Sequence, residues 1–164
     1  MGSSGTGKTT LCRKIAIKCH LPMLHLDQFY WKKKWEHLSK DEFDGYMKQY
    51  LKKHEKWVMD GNYTNNNHFN DRLKLADTII FLDFGRNAAL RGIHERAKKY
   101  KHQTRSDMAE GCIEGIDQVF LQYVAFFEEK AKRMKAIIKK YDRSKEILIF
   151  KDRETLYKWF DNLC

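Results

Sequence analysis

The hydrophobic residues of the chain fall into short apolar runs that alternate with longer stretches of helical periodicity. Short apolar runs are typical of strands that are buried on both faces of a parallel sheet, and the periodic stretches predict the helices that connect them. The predicted strands are residues 23–26, 57–59, 78–82 and 147–150. This alternation indicates an α/β fold, a parallel sheet with helices on both faces.

Helical periodicity also predicts where the connecting helices lie. Residues 39–54 begin with Ser39 and Glu42 at the spacing of a capping box, and apolar residues follow at helical intervals. Further helices are predicted at 11–19, at 87–99, as one long helix at 114–140, and from Asp152 or Arg153 onwards. Because no internal repeat or low-complexity linker separates these elements, residues 1–164 are predicted to form a single domain.

A complete Walker A motif, G-x-x-x-x-G-K-[ST], lies at the start of the chain. Glycines allow backbone N–H groups to turn towards phosphate oxygens, and the helix that follows adds the positive end of its dipole. Lys8 is expected to reach the β- and γ-phosphates, and the Thr9 hydroxyl is expected to bind Mg²⁺. The candidate nucleotide-binding residues of the loop are Gly2, Ser4, Gly5, Thr6, Gly7, Lys8, Thr9 and Thr10.

A chance Gly/Ser/Thr-rich terminus or a tag remnant would show the same residues. The amphipathic stretch at 11–19 favours a working loop, because a helix must follow the phosphate site. A P-loop normally follows a buried strand, whereas only Met1 precedes Gly2. We therefore expect the first strand to be absent from the chain as given, with the native protein starting about seven residues upstream, the length of a usual strand.

Aspartates follow three of the predicted strands, at Asp27, Asp60 and Asp83. The carboxyl ends of parallel strands meet at one edge of a sheet, so these carboxylates are expected beside the P-loop, although a polar residue also commonly ends a strand. Asp27 suits a group that orients an acceptor hydroxyl and takes its proton. Asp60 suits a second Mg²⁺ ligand beside Thr9.

The residues that follow these aspartates are candidates for substrate binding. Tyr30 and Trp31 follow Asp27 and could stack on a planar substrate, or could only seal the core beneath a loop. The candidate substrate residues are Tyr30, Trp31, Asp60, Asn62, Tyr63 and Arg72. Arg72 could hold a substrate phosphate or simply pair with a neighbouring acid.

Arginines between two predicted helices provide candidate catalytic groups. Arg96 and Arg105 are expected on a mobile lid, where an arginine can stabilise a transferring phosphoryl group. A solvated helix end and loop would look the same. Together with Lys8 and Asp27 they are the predicted catalytic residues, and Arg153 is a further candidate for contact with the nucleotide.

The formal net charge is +10, with lysines in runs. Such a charge attracts anions, so nucleic acid is a possible but not required partner, and solvated helix faces explain the same runs. No apolar run is long enough for a membrane span and no signal peptide is visible, so we expect no membrane partner and a cytoplasmic location.

Several segments together resemble the bacterial DNA topology modulation proteins, small P-loop proteins related to adenylate and shikimate-type kinases. The segments are the Walker A loop and residues 25–31, 60–63, 81–86 and 104–112. The resemblance implies a P-loop NTPase fold of the nucleoside-monophosphate-kinase type, with five parallel strands in the order 2-3-1-4-5, a substrate-binding insertion at about 28–55 and a lid at about 96–113. It also implies that ATP or another NTP is bound with Mg²⁺. The chain departs from the family at Gly85, Ser106 and Ile113, where such proteins usually have proline.

The expected function is that of a small-molecule kinase that uses Mg-ATP and phosphorylates a nucleoside-like, nucleotide-like or other hydroxylated acceptor. The alternative is a nucleotide-dependent DNA-binding or topology-modulating protein without kinase activity, and a simple NTPase also fits. Asp27 discriminates between them, because a proton acceptor for an incoming hydroxyl has little purpose in a pure switch.

Overall fold

The computed structural model describes residues 1–141 and 143–163. Parallel strands alternate with helices, as the apolar pattern predicts. The elements are α1 (Lys8–Lys18), β1 (Met23–His25), α2 (Leu26–Tyr30), α3 (Lys40–Lys53), β2 (Val58–Asp60), α4 (His68–Leu75), β3 (Thr78–Leu82), α5 (Gly85–Lys99), α6 (Gln118–Ala125), α7 (Phe127–Lys139), β4 (Glu146–Phe150) and α8 (Arg153–Asp161), with a short 3₁₀ turn at Lys33–Trp35.

The strands form two parallel pairs. β1 pairs with β2, with Met23 opposite Val58, and β3 pairs with β4, with Thr78 opposite Glu146. These are the neighbours expected for the second and third and for the fourth and fifth strands of a 2-3-1-4-5 sheet. Within the described residues the strands do not form one five-stranded sheet, so that order stays a prediction.

The start of the chain lies along β3, at the place that the predicted order gives to the first strand. Gly2 forms an isolated parallel bridge with Leu82, and the Leu82 N–H donates to the Met1 carbonyl at 2.9 Å. The Met1 amino group donates to the Ile80 carbonyl at 2.6 Å. Beyond these contacts, a cavity of about 140 Å³ separates the two strand pairs and is lined by residues of α1, β2, α4 and β3.

Most predicted elements are confirmed, with shifts of a few residues at their ends. Ser39 caps α3 in a full capping box with Glu42, and Asp152 caps α8 through the Thr155 N–H. The predicted long helix at 114–140 is wrong, because the chain forms α6 and α7 with a break at Phe126. The helix α4 was not predicted from the sequence.

Apolar clusters on both sides of the strands hold the elements that carry the site. α7 and α4 pack on β3 through Met134, Ile138 and Phe69, and α1 and α8 meet β4 through Ile15 and Leu156. Burial of such side chains is the main favourable contribution to folding. Over residues 1–141 and 143–163, no helix has the length and apolar character that crossing a bilayer requires.

Candidate active site

A cleft of about 1070 Å³ runs along the edge where the P-loop meets the carboxyl ends of β1 and β2. The cleft brings together most of the residues that the sequence singled out. Those that line it are Ser4, Gly5, Gly7, Lys8, Thr9, Thr10, Asp27, Tyr30, Trp31, Asp60, Asn62, Tyr63, Arg96, Arg105 and Arg153. Asp27, Asp60 and the arginines Arg96, Arg105 and Arg153 therefore share one opening.

The P-loop turns into α1 at Gly7, whose φ of 91° lies in the left-handed region. That conformation costs a side-chain-bearing residue steric energy, and glycine adopts it freely. The Lys8 ammonium donates to the Ser3 carbonyl at 2.8 Å, across the loop, and the Thr6 hydroxyl donates to the same carbonyl. Burial lowers the pKa of Lys8 below its ordinary value, while the nearby Asp60 and Asp27 oppose this shift.

Two glycines bring the P-loop into backbone contact with α5. A Cβ at Gly92 would lie 2.0 Å from the Gly5 carbonyl oxygen, and a Cβ at Gly5 would lie 2.1 Å from the Ala89 carbonyl oxygen. Neither contact could form with any larger residue. Arg96 follows Gly92 by one helical turn, so this packing places its side chain over the same side of the loop.

The side-chain oxygens of Thr9 and Asp60 lie next to each other below the loop. The Thr9 hydroxyl donates to the Asp60 carboxylate, and His25 Nδ1 lies 3.6 Å from the same Oδ2 atom. Burial alone would raise the pKa of Asp60, but His25, the Lys8 ammonium and the Thr9 hydroxyl lower it to about 2. The carboxylate is therefore ionised at neutral pH, and hydroxyl and carboxylate oxygens are ligands that suit Mg²⁺.

Within the described ranges, no cluster of three His, Cys, Asp or Glu side chains is arranged to hold a metal. A Mg²⁺ ion at Thr9 and Asp60 would thus take its other ligands from water and from bound phosphates, which is the usual arrangement for this ion at phosphate sites.

Asp27 lies in the first turn of α2 and lines the cleft. The Tyr63 hydroxyl donates to Asp27 Oδ1 at 2.6 Å. Burial raises the pKa of Asp27 above its ordinary value, whereas the Tyr63 hydrogen bond acts in the opposite direction. A carboxylate with a raised pKa and one oxygen already bonded can orient a substrate hydroxyl with the other oxygen.

Aromatic rings form one wall of the cleft next to Asp27. The Tyr30 ring stacks on His37 with centroids 5.1 Å apart, and lies 4.9 Å from the Tyr63 ring. Trp31 and Trp35 meet edge to face at 5.4 Å. Tyr30 therefore supports the wall from within a ring cluster, while the tryptophans lie at its rim.

Three predicted site residues do not line the cleft. Gly2 pairs with Leu82 at the start of the loop, and Thr6 is buried inside the loop. The Arg72 guanidinium donates to the carbonyls of Gly61 and Asn62, so the predicted contact of this arginine with substrate is not supported. Burial lowers the pKa of Arg72 to about 10.

Asn62 and Asp83 also have structural partners that the sequence did not reveal. The Asn62 amide group donates to the Gly2 carbonyl and accepts from the Gly2 N–H, so Asn62 holds the start of the P-loop although it borders the cleft. The Asp83 carboxylate pairs with Lys135 of α7 and does not line the cleft. Only two of the three strand-end aspartates therefore meet at the site.

The chain between α5 and α6 folds over the cleft. Thr104 and Ile113 form an antiparallel bridge, the Glu114 N–H donates to the Gln103 carbonyl, and Cys112 donates to the Lys32 carbonyl at 3.1 Å. This segment carries Arg105 and contacts the chain that follows α2 through Lys32. Its residues line the cleft, and its role as a mobile lid stays a prediction.

Arg13 and Glu114 are among the lining residues that the sequence did not single out. Arg13 lies on α1, one turn after Thr9, and that spacing after a Walker A motif could have indicated it. Glu114 is buried between Arg96 and Arg105. Nothing in the local sequence distinguishes Glu114 from a solvated acid, because its partners come from distant positions.

Comparisons with known proteins add little to this geometry. No family model matches the chain, and no curated protein matches its sequence, so the predicted membership of the DNA topology modulation proteins is not confirmed. Among solved structures, the chain is similar to a deoxyadenosine kinase from M. mycoides with bound dCTP, at 17% identity and a TM-score of 0.48, over 99% of this chain and 95% of that one. A likeness at this level carries no conclusion about activity.

Proposed function

We propose that the protein is a phosphotransferase that moves the γ-phosphoryl group of Mg-ATP to a hydroxyl group of a small acceptor. The observation that carries this proposal is that one cleft contains both a P-loop and, facing it, the carboxyl group of Asp27, whose pKa burial raises above its ordinary value. A pure nucleotide switch needs the loop and the metal ligands but has no use for a proton acceptor on the opposite wall.

The residues of the P-loop side bind and orient the nucleotide. Backbone N–H groups of the loop and of the N-terminus of α1 donate hydrogen bonds to the phosphates, and the Lys8 ammonium binds the β- and γ-phosphates. Thr9 and Asp60 would hold Mg²⁺, which supplies positive charge to the transferring group when it is bound. Arg153 and Arg13 border the same cleft, where an anionic nucleotide would be attracted.

The residues of the opposite wall act on the acceptor. The oxygen of the acceptor hydroxyl bonds to the γ-phosphorus while Asp27 accepts the proton of that hydroxyl. The bond between the γ-phosphorus and the β–γ bridging oxygen breaks, and ADP leaves. Tyr63 fixes the orientation of the Asp27 carboxylate. The rings of Trp31 and Trp35 favour an acceptor with a planar face.

The substitution Asp27→Asn tests this proposal, because it keeps the shape of the side chain and removes its basicity. We expect kcat to fall by about 10²–10⁴-fold, the usual contribution of a general base, with little change in the affinity for Mg-ATP. The matched control is Asp41→Asn, an exposed residue of α3 away from the cleft, which should behave as the unaltered protein.

Two results would contradict the proposal. One is an Asp27→Asn protein that turns over as fast as the Asp41→Asn control. The other is hydrolysis of ATP to inorganic phosphate without transfer of the phosphoryl group to any hydroxylated acceptor, which would favour a simple NTPase.

A further inference from the structure

The buried carboxylate of Glu114 lies between Arg96 of α5 and Arg105 of the covering loop, which is the chain between α5 and α6. Its side chain is 3% exposed. Arg96 Nε donates to Glu114 Oε1 at 2.9 Å, and Arg105 Nε lies 2.7 Å from Oε2 as an ion pair without the alignment of a hydrogen bond. The two arginines come from different elements, α5 and the covering loop, and Glu114 contacts both.

The position of Glu114 is itself fixed by the backbone. Its N–H donates to the Gln103 carbonyl at 2.9 Å, next to the antiparallel bridge between Thr104 and Ile113. These contacts hold the Glu114 backbone at the base of the covering loop, and the buried side chain extends from there to both guanidinium groups.

The geometry leaves the phosphate-binding ends of the arginines available. Glu114 takes the Nε side of each guanidinium, and Asp107 takes one terminal amino group of Arg105 at 2.9 Å. Within the described part of the chain, no hydrogen bond occupies the terminal amino groups of Arg96 or the second one of Arg105. Both side chains line the cleft. Terminal amino groups in a fixed fork are the part of arginine that binds phosphoryl oxygens.

We propose that Glu114 is a positioning residue that holds Arg96 and Arg105 in place for the transferring phosphoryl group. Two guanidinium groups this close repel each other, and burial removes the water that would screen them. The shared carboxylate compensates that repulsion before the nucleotide arrives, so that little reorganisation remains during the reaction. This inference rests on the proposed phosphoryl transfer, but it concerns the nucleotide side of the cleft alone.

The experiment compares two ligands on the full chain: Mg-ADP, and Mg-ADP with fluoroaluminate, which mimics the phosphoryl group during transfer. The variant is Glu114→Gln, which keeps the size of the side chain and removes its charge. The matched control is Glu110→Gln in the same loop, whose partner Lys33 lies 3.5 Å away in an exposed pair. Exposed pairs contribute little, so this control should not change either affinity.

For Glu114→Gln we expect an unchanged affinity for Mg-ADP and a fluoroaluminate complex weakened by about 10-fold to 100-fold, by analogy with the range found for residues that orient metal ligands. A residue that only stabilises the fold would weaken both ligands or neither. Equal effects of the two substitutions, or a wild-type chain that gains no affinity from fluoroaluminate, would overturn the inference.

The variant Glu114→Asp covers the case in which Glu114→Gln does not fold. It retains the negative charge on a shorter side chain, so the fluoroaluminate complex should be weaker than that of the wild-type chain, and equal affinity overturns the inference. The assay contains no acceptor. Failure of the proposed function would give a different result: the protein would bind the fluoroaluminate complex tightly but would phosphorylate no acceptor in a separate activity assay.

Discussion

The backbone contact between Gly92 of α5 and Gly5 of the P-loop can be tested with one methyl group. In Gly92→Ala the new Cβ would lie 2.0 Å from the Gly5 carbonyl oxygen. A close carbon–oxygen contact is ordinarily about 3.3–3.6 Å, so the loop and the helix must separate by about 1.3 Å. The obstacle is backbone, so no change of rotamer relieves it.

Two effects of opposite sign set the magnitude of this substitution. Alanine favours a helix interior over glycine by about 1 kcal/mol, whereas overpacking a close contact costs about 1–3 kcal/mol. Because only backbone movement can relieve this contact, we expect Gly92→Ala to lower the free energy of unfolding by about 1–2 kcal/mol. For a chain of this size, that corresponds to a fall in Tm of about 2–8 °C.

Gly45→Ala provides the matched control. Gly45 lies inside α3, and a Cβ there would meet nothing within 4 Å. The same glycine-to-alanine change should therefore raise the free energy of unfolding by about 0.5–1 kcal/mol, the helix effect alone. The two substitutions are expected to shift Tm in opposite directions.

The nucleotide provides the second readout for Gly92→Ala. A loop displaced by about 1 Å loses at least one charge-assisted hydrogen bond to phosphate, which corresponds to a Kd for Mg-ATP raised by about 10-fold or more. Thermal unfolding and titration calorimetry on both variants measure the two effects. A Gly92→Ala protein as stable as Gly45→Ala, with unchanged affinity for Mg-ATP, would refute the reasoning.

Two further predictions follow from the hydrogen bonds of buried carboxylates. Tyr63→Phe removes the hydrogen bond that lowers the pKa of Asp27, so the acidic limb of the pH profile of kcat/KM should move to higher pH. The control is Tyr46→Phe, at an exposed tyrosine. An acidic limb that does not move in Tyr63→Phe, or that moves equally in the control, would contradict this prediction. Asp44 accepts from both the backbone N–H and the ring of buried His68, so Asp44→Asn should lower the free energy of unfolding by about 1–3 kcal/mol in urea titrations at neutral pH. Burial raises the pKa of Asp44, but the hydrogen bonds from His68 outweigh burial, so the folded pKa lies below its ordinary value. The stabilisation by Asp44 is therefore complete above the unfolded pKa of about 3.9 and is lost as pH falls through the folded pKa. A stability difference between Asp44→Asn and the wild-type chain that persists at lower pH would contradict this prediction.

The elements predicted correctly from the sequence are those whose signals are local. The apolar run at Thr78–Leu82 has its predicted bounds, the capping box of Ser39 and Glu42 forms as predicted, and the last helix begins at Arg153, one of its two predicted starts. The break at Phe126 was not visible, because the apolar periodicity continues from α6 into α7. α4 follows an asparagine-rich turn with no side-chain cap, so its start carried no signal.

The site was predictable to the extent that its residues lie in motifs or at strand ends. The Walker A loop, Asp27 and Asp60 reach the cleft for that reason. The role of Arg72 was not predictable, since its partners are backbone carbonyls that the sequence does not distinguish. Glu114 was missed because its partner Arg96 lies 18 residues away along the chain.

The fate of the γ-phosphate tests the central claim most directly. The wild-type chain is incubated with Mg-ATP labelled at the γ-phosphorus and a panel of nucleosides, nucleotides and other planar hydroxylated compounds, and the labelled products are separated. We expect label on the hydroxyl of at least one acceptor, at a rate that Asp27→Asn reduces. Label that stays on ATP, or that passes only to inorganic phosphate with every acceptor, would contradict it.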